Sequence, residues 1–170
     1  FRSKRLQHLA ARYLLSLLKD DFDYENIEIS ESGKPLYHNK AFHFSLSHCG
    51  YYAACIISTN RNVGIDIELK ENKVEKILYK FLFDCEIEQM QNIISNKEFK
   101  ELPTILWSAK ETLFKYYGKG NVDFKTMLKI DLNNFTENHF NTRIITSNTI
   151  EQKVYYKMFE DLCLTFCLEE

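Results

Sequence analysis

Two short segments, well separated in the sequence, carry the side chains best suited to chemistry. The first reads VGIDIE at 63–68, and its alternation predicts a strand with Asp66 and Glu68 on one face. The second reads WSAKETLFK at 107–115, where a helix would place Trp107, Glu111 and Lys115 on one side. Taken singly, each has an ordinary interpretation: an edge strand with a solvated acidic face, or a surface Glu–Lys pair worth a few tenths of a kcal/mol.

Taken together, the two segments predict a site for a hard cation. Asp66 and Glu68 repel each other on one face unless a cation lies between them, and Glu111 can supply a third carboxylate. Oxygen ligands without a neighbouring His or Cys pair favour Mg²⁺, which keeps several waters and binds substrate phosphates. We therefore expect Asp66, Glu68 and Glu111 to be the metal ligands.

Two further segments lie upstream and complete an ordered set. Gly33-Lys34-Pro35 forms a predicted turn, and FSLSHCG at 44–50 ends a predicted strand. With GIDIE at 64–68 and WSAKE followed by Lys115, they resemble the motifs of the 4′-phosphopantetheinyl transferases. The upstream pair resembles the larger, Sfp-type branch, since the small holo-acyl-carrier-protein synthases lack it and have Gly-Ile-Asp near the N-terminus.

This resemblance implies an activity and its partners. The reaction would be Mg²⁺-dependent transfer of 4′-phosphopantetheine from coenzyme A, as co-substrate, to a serine of an acyl or peptidyl carrier protein. The other product would be adenosine 3′,5′-bisphosphate. The implied enzyme is a 4′-phosphopantetheinyl transferase with holo-acyl-carrier-protein synthase activity, and its implied fold is two similar α+β halves related by a pseudo-twofold axis.

The resemblance also assigns roles to individual residues. Glu111 would accept the proton of the carrier serine, directly or through a water, while Lys115 and His48 stabilise the developing charge. The phosphate oxygens of coenzyme A would be held by Lys34, Ser47, His48 and Lys115. A serine–histidine pair can also indicate a nucleophile, but no Gly-x-Ser-x-Gly segment surrounds Ser47.

For other charged residues the motifs leave more than one role open. Basic residues of the first helix would hold the 3′-phosphate, with Arg5 as the first candidate and Arg12 as the next, or they form a solvated basic face. Glu86 matches an acidic position of the family and also suits a helix N-terminus. Lys110 points away from Glu111 and could meet phosphate, a carrier or solvent.

The remaining sequence predicts the elements that position these residues. Apolar spacing predicts a helix over 4–19, packed through Leu6, Leu9, Ala10, Tyr13, Leu14 and Leu17. Further helices are predicted over 73–83, from Asp84, and from Pro103 to the stop at Gly118. Alternation predicts strands near 27–30, 42–47, 51–58, 64–68, 128–132, 143–146, 153–159 and 162–168. The fold class is therefore α+β.

Two halves are expected, an N-terminal half at 1–70 and a C-terminal half at 71–170, with the active cleft between them. The first residue is Phe1, and the resembled branch has additional sequence before this point, so we expect an N-terminally trimmed chain.

Composition limits the classes of function. The chain has 170 residues with 45% hydrophobic and 27% charged residues, enough for a substantial core. A net charge of −2 argues against bulk nucleic-acid binding, and no apolar run reaches the length of a membrane span. Five cysteines without a C-x-x-C pattern indicate free thiols in a reducing compartment. We expect a cytoplasmic monomer.

Two alternative functions use parts of the same pattern. A Mg²⁺-dependent phosphohydrolase or nuclease would use the three carboxylates but leaves Lys34 and the Ser47-His48 pair without a role. A non-catalytic carrier-binding module would keep the fold, but retention of the three carboxylates and Lys115 speaks against it.

Overall fold

The computed structural model describes residues 2–38, 41–70, 73–97 and 99–170, and confirms a mixed α+β fold with antiparallel sheets. The helices are α1 (Arg2–Leu18), α2 (Leu78–Phe81), α3 (Asp84–Lys97) and α4 (Leu102–Tyr117). The strands are β1 (Ile27–Ile29), β2 (Pro35–Tyr37), β3 (His43–Cys49), β4 (Tyr52–Ser58), β5 (Val63–Leu69), β6 (Leu128–Asp131), β7 (His139–Ile145), β8 (Thr149–Met158) and β9 (Leu162–Leu168). The predicted helix over 73–83 is a 3₁₀ turn, Val74–Ile77, followed by α2.

Three antiparallel sheets form from these strands. The largest has the order β5-β9-β8-β7-β6, while β3 pairs with β4 and β1 pairs with β2. In the largest sheet Asp66 lies opposite Thr165 of β9. Strand β5 belongs to the predicted N-terminal half, yet it pairs in the same sheet as the C-terminal strands. The predicted boundary between residues 70 and 71 adjoins residues 71–72, which lie outside the described part of the chain. The two-half division and its pseudo-twofold axis stay predictions.

Helix α4 lies against the largest sheet, and most of its residues are buried. Its expected core residues Leu102, Leu106, Ala109, Leu113 and Tyr116 are all buried. Pro103 lies in the first turn, where no amide donor is needed, and Gly118 ends the helix with φ +64°. Gly64 of β5 allows the close approach, because a Cβ atom there would collide with the Thr112 carbonyl oxygen.

Two serines join the β3–β4 hairpin to the edge of the largest sheet. The amide of Ile65 donates to Ser45 Oγ and the amide of Ile67 donates to Ser47 Oγ, both at 3.2 Å. These side chains satisfy amides of an edge strand that β9 pairs on its other side. The prediction of a solvated acidic face is therefore wrong for Asp66, which is 3% exposed.

The orientation of α1 differs from the sequence prediction. Its described residues confirm an amphipathic helix, but Leu6, Leu9, Tyr13 and Leu17 are exposed, at 58–68%. The helix instead packs through Ala11 and Leu15, which is in a small core with Phe42 and Phe44. The sequence offers apolar residues on two sides of α1, and the small side chain of Ala11 suits the side that meets the hairpin.

A buried ion pair connects α3 with α4. Lys110 Nζ donates to Glu86 Oε2 at 3.0 Å and to the Phe124 carbonyl at 3.1 Å, and both side chains are almost fully buried. Glu86 also accepts from the amides of Phe83 and Ile130, each at 2.7 Å. Glu86 therefore accepts a backbone amide at the start of α3, as one of its two interpretations predicted, and Lys110 faces the interior. None of the helices in the described ranges is both long and apolar enough to cross a membrane.

Candidate active site

The site is centred on the buried carboxylate of Asp66, which β5 presents to α4. Lys115 Nζ donates to Asp66 Oδ1 at 2.6 Å, and Ser47 Oγ donates to the same oxygen at 2.8 Å. Lys115 Nζ also donates to Ser47 Oγ at 3.0 Å. The predicted residues Asp66, Ser47 and Lys115 are therefore brought together from β5, β3 and α4.

The second oxygen of Asp66 is held by a buried hydroxyl chain. Ser108 Oγ donates to Asp66 Oδ2 at 2.8 Å and hydrogen-bonds with Thr165 Oγ1 at 2.9 Å. Thr165 Oγ1 in turn hydrogen-bonds with Thr112 Oγ1 at 2.6 Å. All three hydroxyl residues are fully buried, so they fix the Asp66 carboxylate from behind and link β5, β9 and α4.

Glu68, two residues along β5, is held by the helix residue Trp107. Trp107 Nε1 donates to Glu68 Oε1 at 2.9 Å, and the indole ring packs edge-on against Phe81 with ring centroids 5.1 Å apart. Burial, together with the charge of Asp66, raises the pKa of Glu68 to about 7 despite the indole hydrogen bond. Glu68 therefore carries a carboxylate whose charge is poorly compensated.

Glu111 lies one helical turn before Lys115 on the same face of α4. Burial and the negative charge of Asp66 raise the pKa of Glu111, while Lys115 opposes this shift. Glu111 in turn adds to the raised pKa of Glu68. The three predicted acidic residues thus influence one another electrostatically, with one ammonium, Lys115, bonded to the group.

The donor chemistry of this acidic group fits a hard divalent cation. It offers oxygen ligands only, and a bound cation would relieve the repulsion that raises the pKa of Glu68 and of Glu111. Within the described ranges, however, no three acidic, histidine or cysteine side chains already converge as a metal-ligand cluster. Lys115 meets Asp66 Oδ1 instead. The Mg²⁺ ligand set Asp66, Glu68 and Glu111 therefore stays a prediction.

His48 lies at the end of β3, next to Ser47. Burial, the ring of His8 and the charge of Lys115 lower the pKa of His48. The His8 and His48 rings meet edge to face, with centroids 4.6 Å apart. His48 is therefore close to the Asp66–Lys115 pair and in contact with α1.

Lys34, from the predicted turn, reaches the C-terminal end of α4, next to Lys115. Its ammonium donates to the Tyr116 carbonyl at 3.1 Å and to Asn62 Oδ1 at 3.2 Å, and burial lowers its pKa to about 8. Lys34 and Lys115 line one pocket of about 180 Å³. The other lining residues are Ser32, Gly33, Pro35, Phe44, Ser45, Leu46, Phe114, Gly118 and Gly120. Two lysine side chains therefore line a largely apolar pocket, and one of them, Lys115, is bonded to the acidic group.

The two predicted arginines lie on α1 outside this cluster. Arg5 is exposed and Arg12 is half-buried. In the described part of the chain, neither guanidinium contributes an ion pair to the Asp66 cluster. Their role in holding the 3′-phosphate stays a prediction.

Sequence reasoning missed four residues that the structure brings to the site or its support, namely His8, Asn62, Thr112 and Thr165. Thr165 shares a buried face of the last strand with Cys163 and Cys167, and a hydroxyl at such a position is a signal of a buried polar contact. No spacing rule connects His8 with His48.

Comparisons with known proteins bear on this arrangement. The model of the 4′-phosphopantetheinyl transferase superfamily matches residues 62–167, which is more than half of the chain and includes β5, α4 and β9. A Synechocystis protein, slr0495, named provisionally as a 4′-phosphopantetheinyl transferase, is 32% identical over 79 residues. That alignment covers 45% of this chain but only 32% of the relative, so the aligned part spans about a third of its length. Asp66, Glu68, Glu111 and Lys115 all lie in the matched region, and the chain belongs to the 4′-phosphopantetheinyl transferase superfamily.

Proposed function

We propose that this protein transfers the 4′-phosphopantetheine group of coenzyme A to a serine of an acyl or peptidyl carrier protein, in a Mg²⁺-dependent reaction. The observation that carries the proposal is the Asp66–Ser47–Lys115 cluster beside Glu68 and Glu111. The upstream segments at 33–35 and 44–50, which contribute Lys34, Ser47 and His48, support placement in the Sfp-type branch.

The reaction requires cations around a pyrophosphate. The carrier serine oxygen bonds to the phosphorus that bears pantetheine, and the bond from that phosphorus to the bridging oxygen breaks, releasing adenosine 3′,5′-bisphosphate. Lys115 and Lys34 line the same pocket and can neutralise phosphate oxygens. His48 lies outside this lining but close enough to Lys115 to feel its charge. Ser47 holds Lys115 and offers a hydroxyl to the same region.

The serine proton needs an acceptor. We assign this role to Glu111, because its carboxylate lies on the face of α4 that carries Lys115, between the predicted metal site and the pocket. Its position one turn from Lys115 places the acceptor beside a phosphate-binding cation. The proton passes to Glu111 directly or through a water.

Mg²⁺ would be held by Asp66, Glu68 and Glu111, and it would supply charge neutralisation for the pyrophosphate. Binding it would require Lys115 to leave Asp66 Oδ1, which frees the ammonium for phosphate. The cysteine pattern supports a reducing compartment, proposed to be the cytoplasm, and Cys163 and Cys167 are free thiols in the core. A monomer is proposed separately.

Incubation with coenzyme A, Mg²⁺ and an apo-carrier protein, followed by mass spectrometry of the carrier, tests the proposal. A mass gain of one phosphopantetheine group supports transfer, whereas phosphate release without that gain supports a phosphohydrolase. Binding of the carrier with neither product supports a non-catalytic module.

A pair of variants tests the proton acceptor. Glu111→Gln should lower the transfer rate at least ~100-fold, as expected for loss of a general base. The matched control is Glu88→Gln, an exposed carboxamide change on α3, which should leave the rate near wild type. Near-normal transfer by Glu111→Gln would contradict the role of Glu111 as proton acceptor, although the protein would still be a transferase.

A further inference from the structure

The N-terminal turns of α1 are fastened to the corner of the hairpin that carries His48. Gln7 Nε2 donates to the Gly50 carbonyl at 2.6 Å, across the β3–β4 turn. The next residue, His8, brings its ring to that of His48, with a centroid distance of 4.6 Å and an interplanar angle of 74°. His8 is exposed and His48 is partly exposed, so both rings are accessible from solvent.

Charged groups lie on both elements that carry these imidazoles. Lys115 of α4 and Asp66 of β5 act electrostatically on His48, and they are paired with each other. On α1, Lys4, Arg5 and Arg12 are three or four residues from His8 and so share its side of the helix, and α1 contains no acidic residue. An anion at the outer edge of the two rings would therefore lie on the side of α1 that carries its basic residues.

We propose that His8 is a ligand-binding residue that, together with His48, grips a phosphate group of the nucleotide substrate. An imidazole N–H from each ring can donate to a phosphate oxygen, whose negative charge strengthens these hydrogen bonds. The inference rests on the proposed function, because the phosphate is taken to belong to coenzyme A. It differs from the sequence prediction, which gave this role on α1 to Arg5 and Arg12.

The geometry separates His8 from the other cations of its helix. Gln7 and His8 are adjacent residues whose side chains both reach the hairpin corner, one by a hydrogen bond and one by ring contact. Arg5 is exposed and Arg12 lies one turn further along α1. His8 is thus the α1 side chain in contact with a residue of the candidate site.

Calorimetric binding of coenzyme A and of 3′-dephospho-coenzyme A, in Mg²⁺ and without carrier, tests this assignment. Wild type, His8→Ala, His8→Arg and His139→Gln are compared. His139, at the start of β7, contacts Tyr155 of β8 and Thr136 of the preceding turn, and among the described residues it contacts none of those at the site, so it serves as the matched control. His8→Ala should raise the Kd for coenzyme A by about tenfold, as for loss of a charge-assisted hydrogen bond, and His8→Arg should restore at least half of the loss.

The two ligands identify which phosphate is held. Loss of affinity for coenzyme A alone assigns His8 to the 3′-phosphate, and equal loss for both ligands assigns it to the pyrophosphate; either result supports the proposal. Wild-type affinity of a folded His8→Ala variant for both ligands overturns it. Failure of wild type to bind coenzyme A would overturn the proposed function as well, and this outcome is distinct because it appears without any substitution.

Discussion

At the residue scale, Asp66 is a buried charge whose hydrogen-bond donors all come from neighbouring elements of the fold. Its two carboxylate oxygens accept from Lys115, Ser47 and Ser108, so a buried charge is matched by one cation and two hydroxyls. Among the described residues, Glu68 accepts from Trp107 and no donor to Glu111 is seen, and burial together with the charge of Asp66 raises the pKa of both. The acidic group is therefore one satisfied carboxylate beside two carboxylates that lack full compensation.

Removal of the ammonium should expose this dependence. Lys115→Met leaves Asp66 buried with hydroxyl donors only, and we expect the free energy of unfolding to fall by about 2 kcal/mol, less than for a fully buried pair because Lys115 is partly exposed. Urea denaturation measures the change. The exposed Lys119→Met is the control and should change stability by less than about 0.5 kcal/mol. Adding Asp66→Asn to Lys115→Met should recover part of the loss; a further full loss would show that the ion pair is not the source.

Glu68 makes stability depend on pH in a definite direction. Its pKa rises from 4.5 in the unfolded chain to about 7 in the folded protein, so the folded state holds the extra proton between these values. The stabilising contribution is complete below about pH 4.5 and is lost as the pH rises through about 7. Because Glu68 is partly solvated, we expect a decrease of about 1 kcal/mol in metal-free protein.

Unfolding free energies from pH 5 to 8 measure this slope for wild type and for Glu68→Gln, in which it should be smaller. Millimolar Mg²⁺ should raise Tm more at pH 8 than at pH 5, because the ligands must be ionised to bind it. A Mg²⁺ effect that is equal at both pH values, or unchanged in Glu68→Gln, would speak against Glu68 as a ligand.

At the element scale, α4 serves two partners at once. One side holds Lys115, Glu111 and Trp107 towards β5, and Lys110, about a quarter-turn away, pairs with Glu86 of α3. Burial lowers the pKa of Lys110 to about 8 although Glu86 opposes the shift, so the charge is retained only through its acceptors. The helix that carries the candidate chemistry is therefore also fixed in rotation by a buried polar contact on a neighbouring side.

Breaking that contact should be severe. Lys110→Met leaves Glu86 as an unpaired buried carboxylate, and we expect a loss of about 3 to 5 kcal/mol in unfolding free energy. The double variant Lys110→Met with Glu86→Gln removes both charges and keeps an acceptor oxygen for one of the two backbone amides. It should recover at least half of the loss in chemical denaturation. Additive losses from separately measured single variants would argue against a coupled pair.

The orientation of α1 gives a direct comparison of two leucines on one helix. Leu15 is 0% exposed in the small core with Phe42 and Phe44, whereas Leu9 is 62% exposed. Leu15→Ala should lower stability by about 2 to 4 kcal/mol, and Leu9→Ala by less than about 0.5 kcal/mol. Thermal or urea unfolding decides between this structure and the sequence prediction, which would make Leu9 a core residue.

Contacts within one element could be predicted from the sequence, and contacts between elements mostly could not. The alternation of 63–68 and the four-residue spacing of Glu111 and Lys115 fix which side chains share a face. The rotation of α1 depends on which of its two apolar sides fits Phe42 and Phe44, which is a tertiary packing choice. The partners of His8 and Lys110, His48 and Glu86, could not be predicted for the same reason. A charged or titratable residue on a helix gives no sign of its partner on another element.

At the scale of the whole molecule, side chains join the first strands to the C-terminal part of the fold. Ser45 and Ser47 meet the amides of β5, and the carbonyl of Tyr116 near the end of α4 accepts from both Asn62 Nδ2 and Lys34 Nζ. Ser32 Oγ also donates to the Gly118 carbonyl. The pocket beside the acidic group lies along this junction, so residues that line it also hold the molecule together.

Lys34 is the residue at this junction whose presence is hardest to explain by stability. Within the described ranges its ammonium has a carbonyl and an amide oxygen as acceptors and no carboxylate, and burial lowers its pKa from 10.5 to about 8. The charged form is therefore disfavoured in the folded protein, and stability from this group should rise as the pH increases from about 8 to about 10.5. Tyr116 keeps Asn62 as a donor when Lys34 is removed.

We therefore expect Lys34→Met to raise the free energy of unfolding at pH 7 by about 1 kcal/mol, allowing for partial solvation, while weakening coenzyme A binding about tenfold. Urea denaturation and calorimetry on the same preparations measure both, with the exposed Lys119→Met as control for each. A gain in stability with a loss of affinity would mean that the buried ammonium is kept for phosphate and not for the fold. A loss of stability with unchanged affinity would assign Lys34 to the junction alone and remove it from the proposed binding site.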